Sequence, residues 1–214
     1  FNSKPHGIST RLAAEMRDAQ REGATAAKAA YVVSIDLPKD PHPRDVCPRI
    51  ADVLLAKAYH QAGLAVDGPE CVGAETVGNK VILRFRNAEG GLLAKGGGPL
   101  RGFALASSER FRWVWADAVI KGDTVEVSAP TVEKPEGVRY AYQDLPERGA
   151  NLCNAAGCPA APFRTDTQPT YTGEALNPGA RRRGPARSDF IEDPRLPRVL
   201  IIGDSITSHY FHGV

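Results

Sequence analysis

No stretch of this sequence approaches the ~20 consecutive apolar residues that a membrane-spanning helix requires, and neither sign of charge dominates. With 27 Lys and Arg against 25 Asp and Glu, the net charge is +2. That balance gives no electrostatic reason to expect nucleic acid or an anionic membrane as a partner. The one basic run, Arg181 to Arg183, sits among prolines and glycines and suits a solvated linker. Cysteine is sparse. Of the four, only Cys153 and Cys158 are close, and no histidine lies near them, so the two ligand pairs of a zinc site are missing. Those two residues fit a loop disulfide in an oxidising compartment or a pair of free thiols. The sequence opens at Phe1 without the charged head, apolar stretch and small-residue cleavage site of a signal peptide. Either such a peptide has been removed or residues precede Phe1; the second is the expectation, for reasons given below.

The chain has 214 residues, room for one or two domains. Residues 1–65 predict an α-β-α order. Ile8, Leu12 and Met16 recur at helical spacing, Ser9 or Thr10 can cap, and Gly23 ends the helix. Ala30 to Ile35 is a short apolar run that suits a buried parallel strand. A Pro-rich loop leads to a second helix whose apolar face is Ile50, Val53, Leu54, Ala58 and Ala62, with Pro48 near its first turn and Gly63 past its end. From 66 to 165 helical periodicity stops. The runs Val81–Phe85, Gly102–Ala106, Phe111–Trp115, Thr124–Val127 and Val138–Tyr142 are short, and Gly, Asp, Asn and Pro clusters separate them, which predicts a β-sandwich. Residues 166–195 are rich in Pro, Gly, Thr and Arg and predict a linker. Residues 196–214 begin a new element, the strand Arg198–Ile202, followed at once by Gly203-Asp204-Ser205.

Two residues point to chemistry. A buried strand running into Gly-Asp-Ser puts Ser205 at the strand's carboxyl end, where open α/β sheets place their ligands. Its backbone N–H can face a developing oxyanion. The plain alternative is a serine capping the next helix. His42 lies in Asp40-Pro41-His42-Pro43, after the first strand and before a helix. The flanking prolines restrict the backbone and so help to fix the imidazole, as a general base requires. The plain alternative is a surface histidine in a polar loop.

The Gly203-Asp204-Ser205 block resembles the opening of the SGNH or GDSL hydrolases, whose serine attacks an ester. The order of Arg17-Asp18-Ala19-Gln20, Ser34-Ile35-Asp36, Asp40-Pro41-His42-Pro43 and a long helix resembles the end of the catalytic domain of the sialate O-acetylesterase family. Phe103, Ile120 to Val125, Val138 to Ala141, Asn151-Leu152 and Pro159 to Thr165 resemble the β-sandwich that closes that family's catalytic region. The resemblance covers about residues 1–166. It implies that His42 is the catalytic base and that the substrate is an acetylated carbohydrate. No metal or organic cofactor is implied, and the natural location is extracellular or periplasmic. SGNH hydrolases commonly carry Asp three residues before this histidine. Here that position is Lys39, so Asp40 is the orienting acid by proximity, with a backbone carbonyl as the alternative.

In the SGNH order serine precedes histidine, whereas here His42 precedes Ser205. Only two strands suit a parallel sheet, and ~65 residues of an open α/β layer bury too little surface to offset chain entropy. The expected fold class is therefore an SGNH-type three-layer α/β/α domain, incomplete at both ends, plus an all-β sandwich. His42 would belong to one esterase domain and Ser205 to the next. The rival expectation is non-catalytic, a glycan-binding or spacer sandwich. On that reading Trp113, Trp115, Tyr140 and Tyr142 would stack on sugars, although alternating aromatics on strands also pack into cores.

Overall fold

A computed structural model describes residues 12–38, 41–107, 113–142 and 149–167. Two helices come first, α1 (Leu12–Ala26) and α2 (Pro43–Lys57). Ten strands follow: β1 (Glu70–Val77), β2 (Lys80–Arg86), β3 (Leu92–Ala94), β4 (Phe103–Ser107), β5 (Trp113–Trp115), β6 (Asp117–Lys121), β7 (Thr124–Ser128), β8 (Pro135–Tyr140), β9 (Leu152–Asn154) and β10 (Phe163–Arg164). One sheet has the order β1-β2-β7-β6 and a second β10-β8-β4-β5, while β3 and β9 form a small pair.

Alternation explains why the two sheets face each other. In β2, Val81, Leu83 and Phe85 are buried and Lys80, Arg84 and Arg86 are exposed, the period of 2 that a half-buried strand demands. Val81 lies opposite Val127 and Leu83 opposite Val125 on β7. In the second sheet Phe103 lies opposite Tyr140 and Leu105 opposite Val138. All of these side chains join one apolar core. Phe85 of the first sheet meets Phe163 of the second edge-on at 5.8 Å, and Phe163 stacks on Tyr140 at 5.6 Å. The Tyr140 hydroxyl is satisfied inside the core, where it accepts the Leu152 backbone N–H at 2.9 Å. Two hairpins have two-residue loops that open with a glycine at positive φ, Gly78 and Gly122, the residue such tight turns select.

The helical part departs from expectation in several ways. The run Ala30 to Ile35 forms no strand and joins no ladder, and Ile35 already lies in a turn. Among the described residues every strand pair is antiparallel, so the expected three-layer parallel arrangement is not seen there. Helix α1 passes Gly23 and ends at Ala26, and its buried face is Ala14, Glu15 and Ala24, with Met16 exposed. In α2, Pro48 lies inside the helix, and Ala58 and Ala62 lie beyond its end at Lys57. The cysteines are free thiols. Cys153 pairs with Pro159 across an isolated bridge, so Cys153 and Cys158 are diagonal neighbours on alternate faces. Their Sγ atoms accordingly approach different carbonyls, those of Leu93 and Ala65.

Gly68 marks the tightest backbone approach. A Cβ there would lie 1.9 Å from the Pro159 carbonyl oxygen and 2.7 Å from its carbon. Gly68→Ala should cost at least about 2–3 kcal/mol, as overpacking a tight site does. Gly23→Ala should act in the opposite direction. It sits in the last turn of α1 with nothing within 4 Å of the new Cβ and should gain about 0.5–1 kcal/mol. Urea unfolding of both variants checks the pair of signs.

Candidate functional site

His42 stands at the N-cap of α2, exposed, with φ −68° and ψ 147°. Its Nδ1 accepts the Arg44 backbone N–H at 3.2 Å, and its own backbone N–H donates to Asp45 Oδ2 at 3.1 Å. This is a capping box in which imidazole replaces the usual hydroxyl, with Pro43 at the first helical position where its missing N–H costs nothing. The geometry has a chemical consequence. With Nδ1 accepting, a neutral ring carries its proton on Nε2. A serine-activating base needs the reverse, a free Nε2 and an Nδ1–H held by an acid or carbonyl. His42 can act as base only after its ring turns out of the cap.

Asp36 belongs to a different arrangement. Arg49 grips its carboxylate with two hydrogen bonds of 2.7 and 2.8 Å and also donates to the Val33 carbonyl at 2.9 Å. Lys95 reaches the same carboxylate at 2.5 Å. Burial pushes the Asp36 carboxyl up, but the hydrogen bonds and charges of Arg49 and Lys95 outweigh it and hold the group below the ordinary carboxylate value. So Asp36 ties loop 29–38 to α2 and to the end of β3, and it is not free to orient His42. Asp40 and Ser205, the other two residues singled out from the sequence, lie outside the described residues.

A second polar cluster joins α1 to the outer face of the second sheet. Arg139 makes two 2.8 Å hydrogen bonds to Asp166, and both side chains are buried. Its guanidinium also stacks 4.1 Å from the Trp113 ring and 4.9 Å from Tyr142. Arg164 lies 3.6 Å from Asp166 and 3.9 Å from Asp18 of α1, which also has Arg21 at 3.5 Å. Burial raises the Asp18 carboxyl above its ordinary value, and Tyr142, Arg21 and Arg164 offset this only in part. The aromatic rings thus play two roles. Tyr140 is core, whereas Trp113 and Tyr142 each give a face to Arg139. Asp166, read from the sequence as the first linker residue, packs on the sheet. Neither cluster was foreseen. The one signal was Arg139 standing next to Tyr140 and Tyr142 on an alternating strand.

Among the described residues no group of three or more His, Cys, Asp or Glu side chains is placed to hold a metal, and no helix is long and apolar enough to cross a membrane.

This architecture has a counterpart among solved structures. The crystal structure of XAC1771, a novel carbohydrate acetylesterase from Xanthomonas citri, superposes with a TM-score of 0.68 at 32% sequence identity. The match covers 77% of this chain and 39% of that one. No family model matches the chain, and no curated protein does. A carbohydrate acetylesterase is thus a structural neighbour, and the chain spans well under half of that neighbour's length.

Proposed function

We propose that this chain is part of a serine-type carbohydrate O-acetylesterase acting on sialic acid or a related sugar outside the cytoplasm. The observation that carries the reading is the 32% identity to a carbohydrate acetylesterase over 77% of the chain. On this reading residues 1–65 are the last portion of an SGNH-type domain, the sandwich follows it, and residues 196–214 open a second such domain. His42 takes the proton of a serine hydroxyl as that oxygen attacks the acetyl carbonyl. It returns the proton to the departing sugar oxygen, which leaves as the free hydroxyl, and water then releases acetate from the serine ester. Asp40 would hold Nδ1–H once the ring has left the cap. Ser205 would be the nucleophile of the second domain. The glycan-platform alternative loses ground, because Arg139 takes one face of both Trp113 and Tyr142.

The test is acetate release from an aryl acetate and from O-acetylated sialic acid by the longer polypeptide that this reading assigns to the chain. His42→Asn separates catalysis from folding, since asparagine is itself a good N-cap. Its kcat/KM should fall about 10²–10⁴-fold, the worth of a general base, with the melting temperature little changed. Full activity in the double variant His42→Asn, Ser205→Ala would reject the assignment.

A further inference from the structure

We infer that Lys95, immediately after the sandwich strand β3, is a positioning residue for His42. Through Asp36 and Arg49 it ties α2, and so the cap that carries the imidazole, to the sandwich. The inference rests on the proposed function and deepens it, because it makes the sandwich a working part of the His42 site rather than a spacer.

The tie starts from fixed backbone. Ala94 pairs with Leu152 in the β3–β9 ladder. The next residue, Lys95, donates its backbone N–H to the Asn151 carbonyl at 2.7 Å. Asn151 is itself buried. Its side chain accepts the Arg101 N–H at 2.8 Å and donates to the Pro99 carbonyl at 3.1 Å. From this base Lys95 Nζ reaches Asp36 Oδ2 at 2.5 Å.

The far end of the tie is α2. Arg49 takes both oxygens of the same carboxylate, and His42 caps the helix about two turns earlier. Ile35, next to Asp36, packs against the sandwich core. A second tie holds the other end of the helix. Lys57 meets Asp67 at 2.5 Å, and the Asp67 carbonyl accepts from Asn154 of β9 at 3.0 Å. The helix is thus held to the sandwich at two heights, and the Lys95 tie is the one nearer His42.

Stability and placement separate at Lys95. Its side chain is 45% exposed, and ion pairs of so exposed a lysine add little stability. The planar fork of Arg49 already satisfies the Asp36 carboxylate on two oxygens. What Lys95 adds is a link between that pair and the sandwich. A general base must stand within hydrogen-bond reach of the hydroxyl it serves, so its placement is where a lost link should show.

Two substitutions in the longer esterase polypeptide test the role. Lys95→Met keeps the stem and removes the charge. Its kcat for an aryl acetate should fall about tenfold, within the 10²-fold that a misplacement of about 1 Å can cost. KM and the melting temperature should change little. Lys95→Arg keeps the cation and should restore most of the loss. A kcat unchanged in Lys95→Met would overturn the inference, as would a change confined to KM or an equal loss in Lys95→Arg. A second measurement needs no catalysis. Nitroxides are placed in the 214-residue chain at Cys47 of α2 and at Val119→Cys of β6, both exposed sites, with Cys71→Ser and Cys158→Ser as background. The distance distribution between them should broaden in Lys95→Met and stay narrow in Lys95→Arg; equal widths in all three would show that Lys95 does not fix the helix. Acetate release by the parent with no effect of Lys95→Met rejects the positioning role and leaves the esterase reading intact. A parent that releases no acetate rejects the esterase reading, and with it the catalytic purpose of the tie, whatever the distances show.

Discussion

Arg49→Ala is expected to cost about 3 kcal/mol of folding stability, the lower end of what stranding a buried charge costs. The Asp36 side chain is 2% exposed and that of Arg49 23% exposed, so the variant leaves the carboxylate inside with Lys95 as its remaining cation. The pH dependence tests the cause. The Asp36 carboxyl is held below its ordinary value, so the stabilisation is present above the unfolded-state value of about 3.9 and is lost as pH falls through the lower folded value. The gap between variant and parent should therefore be widest near neutrality and narrow as pH falls below the ordinary carboxylate range and through the parent's lower folded value. Adding Asp36→Asn should recover part of the loss, because a neutral amide strands no charge. Urea unfolding at pH 7 and pH 3 reads all of these. A loss that is the same at both pH values would mean that Arg49 contributes packing rather than charge.

Asp166→Ala should be at least as damaging, at about 3–5 kcal/mol. Here both partners are buried, with side chains 7% and 2% exposed, so Arg139 would be left between Trp113 and Tyr142 without its carboxylate. The seat is closely fitted. A Cβ at Gly137 would lie 3.1 Å from the Asp166 Cβ and 3.3 Å from the Trp113 ring, so any larger residue there would have to push Asp166 and Trp113 aside by a few tenths of an ångström. Replacing both ends of the pair, Arg139→Met with Asp166→Ala, should be milder than Asp166→Ala alone, since apolar groups of similar volume often substitute for a buried ion pair without loss. Guanidinium unfolding measures the cost, and the near-ultraviolet circular dichroism of Trp113 reports whether the ring keeps its setting. A double variant as unstable as the single would show that the volume of the arginine, not its charge, is what the site needs.

Most of the sandwich was legible because its central strands bury one face. The runs around Val81 to Phe85, Thr124 to Val127 and Val138 to Tyr140 alternate visibly, and they became β2, β7 and β8. Strand β1 was missed because it is mostly exposed, with only Glu70, Cys71 and Gly73 partly buried, and an edge strand needs no apolar stripe. The two- and three-residue strands β3, β9 and β10 are too short to show a period. Ala30 to Ile35 erred in the other direction. Its residues have strand chemistry, but a strand also requires a neighbour, which no local pattern encodes. The site divides similarly. His42 stood out because prolines flank it, yet its place at an N-cap, and hence its tautomer, depends on the helix that follows. The grip of Arg49 on Asp36 spans 13 residues and that of Arg139 on Asp166 spans 27. Pairings at such distances are set by tertiary packing and leave no trace in local spacing.

The cysteines sharpen a different question. Because Cys153 and Cys158 face away from one another, the sandwich closes by aromatic and aliphatic packing, with no covalent link across its last hairpin. Its integrity is accordingly indifferent to glutathione, and the same fold can form in a reducing or an oxidising milieu. Cysteine content, which often gives away where a protein resides, is a blank address label on this chain.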